Sequence, residues 1–231
     1  MGRLTQLKNI LLCSYRDWST SICDNLIEKF SSKVKFHLVK SKQELENYLS
    51  SEKYTDAMLF IGWSEIIAKE IVEKESCFCL HPSLLPKYRG GSPIQHQMIN
   101  LEDNSGVTIF KMNEGIDTGP IYFQEAFRLK DLKLQQVFDN IIELGIKGFS
   151  NLLNDIIDNN KLDLYEQDQT KATSYKRRKP EESEISQDDF KSLSSRELSN
   201  KINSLQDPYP NAFIRCKDGS ILYLKSSDYK E

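Results

Sequence analysis

Residues 57–81 read AMLFIGWSEIIAKEIVEKESCFCLH, and this stretch holds the pattern that decides the fold. Its two apolar runs, residues 57–61 and 77–80, have the length of buried strands. Between them, residues 66–73 mix apolar and charged side chains and predict a helix. A strand, a helix and a second strand in this order predict two parallel strands joined by a crossover.

The same rhythm extends toward the N-terminus. Four more elements are predicted there, alternating strand and helix: residues 9–13, 18–30, 34–39 and 42–49. An apolar side chain at every fourth position marks the first of these helices: Trp18, Ile22, Leu26 and Phe30. The alternation predicts an α/β fold, a Rossmann-like and mostly parallel sheet with helices on both faces.

A loop rich in proline and glycine interrupts the rhythm after residue 81. Ser92 is predicted to cap a short helix at residues 94–100, with Pro93 at the first helical position. Two strands and a long amphipathic helix are predicted beyond it: residues 106–112, 121–127 and 135–157.

The composition becomes more polar after residue 159. Residues 164–189 are predicted to cross the molecule as an extended segment, followed by a helix at 194–205 that Ser195 would cap. Two short strands joined around Asp218-Gly219 predict a closing β-hairpin. We therefore predict a catalytic domain at residues 1–163 and a small C-terminal extension at 164–231.

Charge and cysteine usage narrow the class of protein. The 231 residues carry a formal net charge of −3, which argues against a protein built mainly to bind nucleic acid. Five cysteines, an odd number in a chain of this size, favour reduced thiols over a disulfide framework. Neither a signal sequence at residues 1–8 nor a membrane-length apolar run is expected, so we predict a cytoplasmic protein with no membrane partner.

His81 and Asp117 are the first candidates for chemistry. His81 ends a predicted parallel strand, at the edge of the sheet where sites form in open α/β folds, and Asp117 lies in a glycine-flanked turn between two strands. A carboxylate can orient an imidazole that takes a proton near neutral pH. From the residues alone, the alternative stays open that His81 is a structural histidine and Asp117 an ordinary turn aspartate.

Two other chemistries involve the cysteines before His81. Cys77, Cys79 and His81 share one face of the predicted strand and are three possible metal ligands. A paired Cys-x-x-Cys motif and a fourth ligand are missing from the sequence, so no metal is predicted. A Cys79–His81 nucleophile pair is possible in principle.

Several short motifs occur in one order over residues 57–125: HPSLLP at 81–86, YRGG at 88–91, PIQ at 93–95, GVT at 106–108 and DTG at 117–119. This set resembles the folate-dependent formyltransferases, which include methionyl-tRNA formyltransferase, glycinamide ribonucleotide formyltransferase and the sugar N-formyltransferases. A weaker similarity to the sugar branch rests on four further motifs: YRDW at 15–18, GWS at 62–64, GGSPIQ at 90–95 and DPYPNAF at 207–213.

The resemblance implies that an amine attacks the formyl carbon of N10-formyltetrahydrofolate. His81 would remove the amine proton, and Asp117 would hold the imidazole and help proton transfer to N10 of the folate. The family has an asparagine two residues before the histidine, and Cys79 stands there in this chain. A thiol donates hydrogen bonds weakly. Three interpretations stay open: other donors replace the amide, Cys79 is a small buried residue without a role, or activity is lost.

The resemblance also implies where the two substrates bind. The folate pocket would be formed by Ile61, Gly62, Trp63, Ile66, Met112, Glu114, Gly115 and Ile116. The alternative for Ile61, Ile66 and Met112 is a place in the core. Candidate contacts for a nucleotide-linked acceptor are Tyr15, Arg16, Arg89, Gly91, Gln95, Tyr175, Lys176, Arg177, Tyr209 and Asn211. The basic run at 176–179 is alternatively a solvated face.

The sequence thus predicts a homodimeric, metal-free enzyme that formylates a nucleotide-linked amino-dideoxy sugar, with dTDP-4-amino-4,6-dideoxy-D-glucose as the first candidate. Such an enzyme would serve O-antigen or lipopolysaccharide biosynthesis. Methionyl-tRNA and glycinamide ribonucleotide are the alternative acceptors, and the expected lack of a tRNA-binding domain after residue 231 weighs against the first. A binding module that has lost activity is the non-enzyme alternative.

Overall fold

Strands and helices alternate through the first part of the chain. The computed structural model describes residues 7–51 and 53–230. In chain order the first elements are β1 (Lys8–Cys13), α1 (Asp17–Phe30), β2 (Val34–Val39), α2 (Lys42–Ser50), β3 (Ala57–Phe60), α3 (Lys69–Lys74) and β4 (Cys77–His81). Residues 1–6, which contain most of the stretch where no signal sequence is expected, lie outside the described residues.

The later elements vary more in length, from two-residue strands to one long helix. They are β5 (Arg89–Gly90), α4 (Pro93–Ile99), β6 (Asn104–Lys111), β7 (Ile121–Arg128), α5 (Leu134–Asp158), β8 (Ser174–Tyr175), α6 (Gln187–Ser192), α7 (Ser195–Ser204), β9 (Phe213–Arg215) and β10 (Ile221–Tyr223).

A six-stranded sheet forms the centre, in the order β2-β1-β3-β4-β6-β7. The first four strands of this order are parallel, and β6 and β7 are antiparallel additions beside β4. Near the C-terminus, β9 and β10 pair as an antiparallel hairpin. The predicted fold class, a mostly parallel Rossmann-like sheet with a terminal hairpin, is confirmed.

The two faces of the sheet carry separate apolar clusters. In β1, Ile10 and Leu12 pack into the larger cluster with α1 and α5, whereas Leu11 and Cys13 pack into a second cluster with α2 and α3. Successive strand residues point to opposite faces, so a continuous apolar run supplies both clusters. This packing fixes the strand ends that carry the candidate site.

The predicted helix at residues 66–73 begins later than expected, at Lys69. The preceding loop is held by residues that follow β1: the Tyr15 hydroxyl bonds to Ser64, and Arg16 Nε donates to the Gly62 carbonyl over 3.1 Å. Ile66 is 83% exposed, while Ile67 packs against the apolar cluster on the α2–α3 face from the loop. Tertiary hydrogen bonds therefore override the local helical pattern.

Two predicted N-caps are wrong. Ser92 precedes α4 but has φ of +53° and caps no amide; its Oγ accepts from the Arg178 amide at 3.0 Å instead. For α7 the cap is Ser194 rather than Ser195, since the Ser194 Oγ accepts from the Glu197 amide. Ser92 thus bonds an amide distant in sequence, and the cap of α7 lies one residue before the predicted position.

The predicted extended segment at 164–189 is only partly extended. It contains two 3-10 turns, the short strand β8 and helix α6. β8 pairs in parallel with β5, which joins the segment to the loop after β4. A small apolar cluster under α7 and β9, with Ile185, Ile202 and Leu205, then anchors the C-terminal hairpin region.

Among the described helices, none combines the length and apolar character needed to cross a lipid bilayer.

Candidate active site

His81 lies at the carboxyl end of β4 and is buried, with 5% of its surface exposed. Its Nε2 atom is 2.8 Å from the carbonyl oxygen of Tyr88. Because a carbonyl oxygen only accepts hydrogen bonds, Nε2 must carry a proton. The loop after β4 therefore fixes both the ring orientation and the proton on one of its nitrogens.

Asp117 lies beside the other nitrogen of this ring. Its Oδ2 atom is 3.4 Å from His81 Nδ1 and accepts a hydrogen bond from the Gly90 amide at 2.8 Å. The residue has φ of +53°, a left-handed conformation that is unusual outside glycine but tolerated by aspartate. The structure thus brings the two predicted catalytic residues together.

The loop that carries Asp117 has a tight local structure. Asn113 Oδ1 accepts from the Gly115 amide at 3.1 Å and from the Thr118 hydroxyl at 2.8 Å. A Cβ atom on Gly119 would lie 1.8 Å from the Lys111 carbonyl oxygen, so only glycine fits there. These constraints hold Asp117 between β6 and β7 at the same sheet edge as His81.

Cys79 shares a strand face with His81, and its side chain is half-buried among Trp63, Met112 and Leu85. Burial raises the pKa of the Cys79 thiol well above its usual value, and the nearby Asp117 carboxylate adds to the rise. A thiol in this environment stays protonated, which argues against the Cys79–His81 nucleophile pair. Its contact is a weak one, from Sγ to the Leu80 carbonyl at 3.6 Å.

Within residues 7–51 and 53–230, no group of three or more His, Cys, Asp or Glu side chains is placed to hold a metal ion. Cys77 Sγ belongs to the apolar cluster on the α2–α3 face. Burial raises its pKa to about 12.

Two loops border the sheet edge where the folate pocket is predicted. Trp63 packs edge-on against Tyr15, and its indole Nε1 is buried without a hydrogen-bond partner among the described residues. Ile66, on the same loop as Trp63, is 83% exposed, and Ile116, on the facing loop, is 64% exposed. Unpartnered donors and exposed apolar side chains fit a flat heterocycle with polar edges.

The remaining predicted folate contacts have mixed surroundings. Glu114 Oε2 is 2.5 Å from Lys69 Nζ, which ties the loop before Asp117 to α3. Gly62 has φ of +64°, a left-handed backbone conformation that favours glycine. Met112 is half-buried between two clusters, Ile61 is fully buried in the core, and Gly115 packs on Thr118. Ile61 thus offers the pocket only its backbone.

The tail strand β8 joins the loop after β4 next to His81. The Gly91 amide donates to the Tyr175 carbonyl at 2.9 Å, and a Cβ atom on Gly91 would lie 2.4 Å from the Arg177 backbone nitrogen and Cα. The Tyr175 ring stacks on Tyr88 with centroids 4.8 Å apart, and it also contacts His96. Tyr175, which was predicted to contact the acceptor substrate, therefore packs on Tyr88, and the Tyr88 carbonyl accepts the hydrogen bond from His81.

Two of the three predicted cationic contacts bind the loop at residues 62–64. Arg16 binds the Gly62 carbonyl, and Arg177 Nη2 donates to the Ser64 carbonyl over 3.1 Å. Lys176 has an exposed side chain, while its carbonyl lies 3.0 Å from His96 Nε2. The structure thus gathers Arg16 and Arg177 on one loop.

Three further predicted acceptor contacts, Gln95, Tyr209 and Asn211, lie in different surroundings. Gln95 is 4% exposed, and its Oε1 atom has no hydrogen-bond partner among the described residues. Tyr209 packs on Phe138, and the positive charge of Arg16 opposes the burial that raises its pKa. Asn211 bonds to Asp207, to the Tyr209 carbonyl and to Lys225, so its amide is used within its own turn and the tail.

Sequence reasoning missed the backbone groups of Tyr88 and Gly90 and the side chain of Gln167. Gln167 Nε2 donates to the carbonyls of Asp117 at 2.9 Å and Gly119 at 2.7 Å. Its polar sequence surroundings give no sign of burial, so the tertiary contact was not predictable from pattern.

Comparison with known proteins gives a consistent result. The profile described as Formyl transferase matches residues 21–152. The methionyl-tRNA formyltransferase of Pelagibacter ubique is 32% identical over 192 residues, covering 81% of this chain and 59% of that protein. The chain thus spans less than two thirds of this relative's length.

Solved structures share the fold. A methionyl-tRNA formyltransferase from Clostridium thermocellum is 27% identical with a TM-score of 0.76, covering 94% of this chain and 97% of that one. A 4-N formyltransferase from Francisella tularensis superposes with a TM-score of 0.77 at 19% identity, covering 97% and 99%. The second likeness is one of fold alone.

Proposed function

The chain belongs to the Formyl transferase family, and from that premise we propose that it moves a formyl group from N10-formyltetrahydrofolate to a primary amine. One observation carries the proposal: His81, bonded through Nε2 to the Tyr88 carbonyl, lies at the end of a parallel strand with Nδ1 3.4 Å from the Asp117 carboxylate. This is the place where open α/β sheets form their sites.

The arrangement suits proton transfer from an attacking amine. With Nε2 committed to the Tyr88 carbonyl, His81 accepts the amine proton on Nδ1. The Asp117 carboxylate, 3.4 Å away, stabilises the cation that results. The new carbon–nitrogen bond forms on the formyl carbon, the bond to the folate nitrogen breaks, and the proton returns to that nitrogen.

For the formyl donor we propose the pocket between the loop at 62–66 and the loop at 112–116. Trp63 Nε1 supplies an unused buried donor, and Ile66 and Ile116 supply apolar surface. The Lys69–Glu114 ion pair fixes the distance between the two sides. Tetrahydrofolate contributes the carrier nitrogen, and the chain's residues would bind and orient its ring.

For the acceptor we propose a nucleotide-linked amino-dideoxy sugar, with the dTDP-linked 4-amino-4,6-dideoxyglucose as first candidate. Arg16 and Arg177 lie near the site and suit a diphosphate. Gln95, with an unused buried carbonyl, suits a sugar hydroxyl or amine. The motifs shared with the sugar branch support this choice.

Methionyl-tRNA is the second candidate acceptor, because the curated relative from P. ubique is named a methionyl-tRNA formyltransferase. The net charge of −3 weighs against a nucleic-acid partner. We propose a homodimer as well, since Ile221 and Tyr223, which share one face of the hairpin strand, are 46% and 56% exposed and offer an apolar surface.

A direct assay separates these acceptors. Purified protein is incubated with N10-formyltetrahydrofolate and, in parallel, with dTDP- and UDP-linked amino sugars, glycinamide ribonucleotide or charged initiator tRNA, and the products are analysed by mass spectrometry. We expect one amino sugar to gain a formyl group. Formylation of the tRNA alone would make the sugar assignment wrong and leave formyl transfer standing, whereas no product with any acceptor would overturn the enzyme assignment.

A further inference from the structure

Arg89 is a buried cation whose hydrogen-bond partners are amides. The residue is 6% exposed, and burial lowers its pKa while the nearby Asp117 carboxylate opposes that change. Its Nε and Nη2 atoms donate to Gln167 Oε1 at 3.1 and 2.6 Å, and Nη1 donates to Gln169 Oε1 at 2.9 Å. A buried guanidinium with neutral partners is costly, so a specific role for these contacts is expected.

Gln167 uses both ends of its side-chain amide. It is 5% exposed, and its oxygen accepts both hydrogen bonds from Arg89. Its nitrogen donates to the Asp117 carbonyl at 2.9 Å and to the Gly119 carbonyl at 2.7 Å. The two donors and two acceptor positions of a carboxamide are thereby all satisfied. One side chain bridges the buried cation to the loop that carries Asp117.

We propose that Gln167 is a positioning residue for formyl transfer: anchored by Arg89, it clamps the backbone on both sides of Thr118 and so fixes the Asp117 carboxylate against His81. The inference rests on the proposed function for its reaction. Gln167 itself lies outside the family-matched residues 21–152.

The clamp matters because the Asp117 backbone is in an unfavourable conformation. With φ of +53°, an unsupported aspartate would relax to a commoner region. The carboxylate has one backbone anchor, the Gly90 amide, and a 3.4 Å contact to His81. A displacement of about 1 Å in such a contact can lower a rate on the order of 100-fold.

The same substitution at two glutamines tests the clamp. In Gln167→Glu the carboxylate still accepts from Arg89 but has no hydrogen to donate to the Asp117 and Gly119 carbonyls. Gln169→Glu is the matched control, because it places the same charge on the same arginine while Gln169 donates only to the Gln167 carbonyl. We expect Gln167→Glu to lower kcat roughly 10- to 100-fold with KM changed less than about 3-fold, and Gln169→Glu to stay within about 3-fold of wild type.

A readout without substrate keeps the test independent of the proposed function. The Gly90 amide proton, which is donated to Asp117 Oδ2, and the His81 ring N–H are followed by NMR; the chain has three histidines, and His81→Ala identifies the signal. Both signals should move in Gln167→Glu and stay in place in Gln169→Glu.

Gln167→Met, of similar length but without hydrogen bonds, serves if Gln167→Glu does not fold, and the same two signals should move. Unmoved signals and an unchanged kcat in a folded Gln167 variant would overturn the positioning role. If wild-type protein formylates nothing, the reaction assignment fails, and the NMR signals alone decide whether Gln167 holds Asp117.

Discussion

The Nε2 nitrogen of His81 donates a hydrogen bond to the carbonyl of Tyr88 over 2.8 Å. This relationship leaves Nδ1, the nitrogen that faces Asp117, to act as the base in the proposed transfer. A backbone carbonyl cannot be changed by substitution of its own side chain, so the ring orientation depends on the path of the whole loop after β4.

Replacing the imidazole should abolish most of the activity. His81→Ala removes the imidazole that lies beside Asp117 and is proposed to accept the amine proton, and general base catalysis contributes roughly 100- to 10,000-fold. We expect kcat to fall by about that factor in the formyl-transfer assay.

His37→Ala provides the control for His81. His37 packs on Tyr48 and lies on the edge strand β2, with β1 and β3 between it and β4. It should retain wild-type kcat. A His81→Ala protein that keeps more than about a tenth of the wild-type rate would contradict the assignment of a base.

Removing the negative charge of Asp117 should lower the rate while keeping the fold. Asp117→Asn preserves an oxygen for the Gly90 amide, but it no longer stabilises the imidazolium formed during transfer. We expect kcat to fall on the order of 100-fold, with donor binding and Tm nearly unchanged.

Asp139→Asn, on the exposed side of α5, is the charge-matched control and should have no effect. Equal rates for the Asp117 variant and wild type would show that the carboxylate serves the turn alone.

The sheet was predictable because burial on both faces leaves a direct trace in the sequence. The strand at Val34–Val39 matched its expected bounds, and the other strands of the parallel part differed by one residue or less. Residues 66–68 were mispredicted as helical; they continue a loop whose Gly62 and Ser64 are bonded by Arg16 and Tyr15, which are distant in sequence. Local pattern contains no information about such partners.

The candidate site was predictable in part for the same reason. His81 and Asp117 were found through strand ends and motifs, which are local features. Gln167 was not, because a glutamine in a polar stretch is usually exposed, and its burial depends on the pairing of β8 with β5. A buried cation satisfied by amides is visible only in three dimensions.

Buried thiols should make the fold sensitive to alkaline pH. Burial raises the pKa of Cys23 to about 11 and that of Cys77 to about 12, above the ordinary value of 9.0. Above pH 9 the unfolded chain loses these protons while the folded chain keeps them, so the unfolded state is favoured. The free energy of unfolding should fall with rising pH by about 1.4 kcal/mol per unit for each such thiol.

Urea unfolding between neutral pH and pH 11 measures this slope. Cys77→Ala should flatten it by one thiol's share, even though the cavity lowers stability at every pH. Cys216→Ala, at an exposed position, should leave the slope unchanged. A slope identical in wild type and Cys77→Ala would exclude the buried thiol as its source.

Cys79→Asn should raise the rate of formyl transfer. The formyltransferase motifs predict an asparagine at this position, and an amide is a stronger donor to a developing oxyanion than a protonated thiol. Cys79 is half-buried and, like Met112, packs at the margin of an apolar cluster. A larger asparagine amide is therefore expected to fit there and to extend toward the reacting formyl group. We expect kcat to rise on the order of 10-fold.

Cys79→Ala separates a weak donor from a spacer. If the thiol contributes a hydrogen bond to the reacting group, the alanine variant should be slower than wild type and the asparagine variant faster. Equal rates for alanine, cysteine and asparagine would show that position 79 does not stabilise the oxyanion. In that case other donors stabilise the oxyanion, such as the backbone amides of the loops at 82–91 and 112–119, which are the segments that Arg89 and Gln167 hold in place.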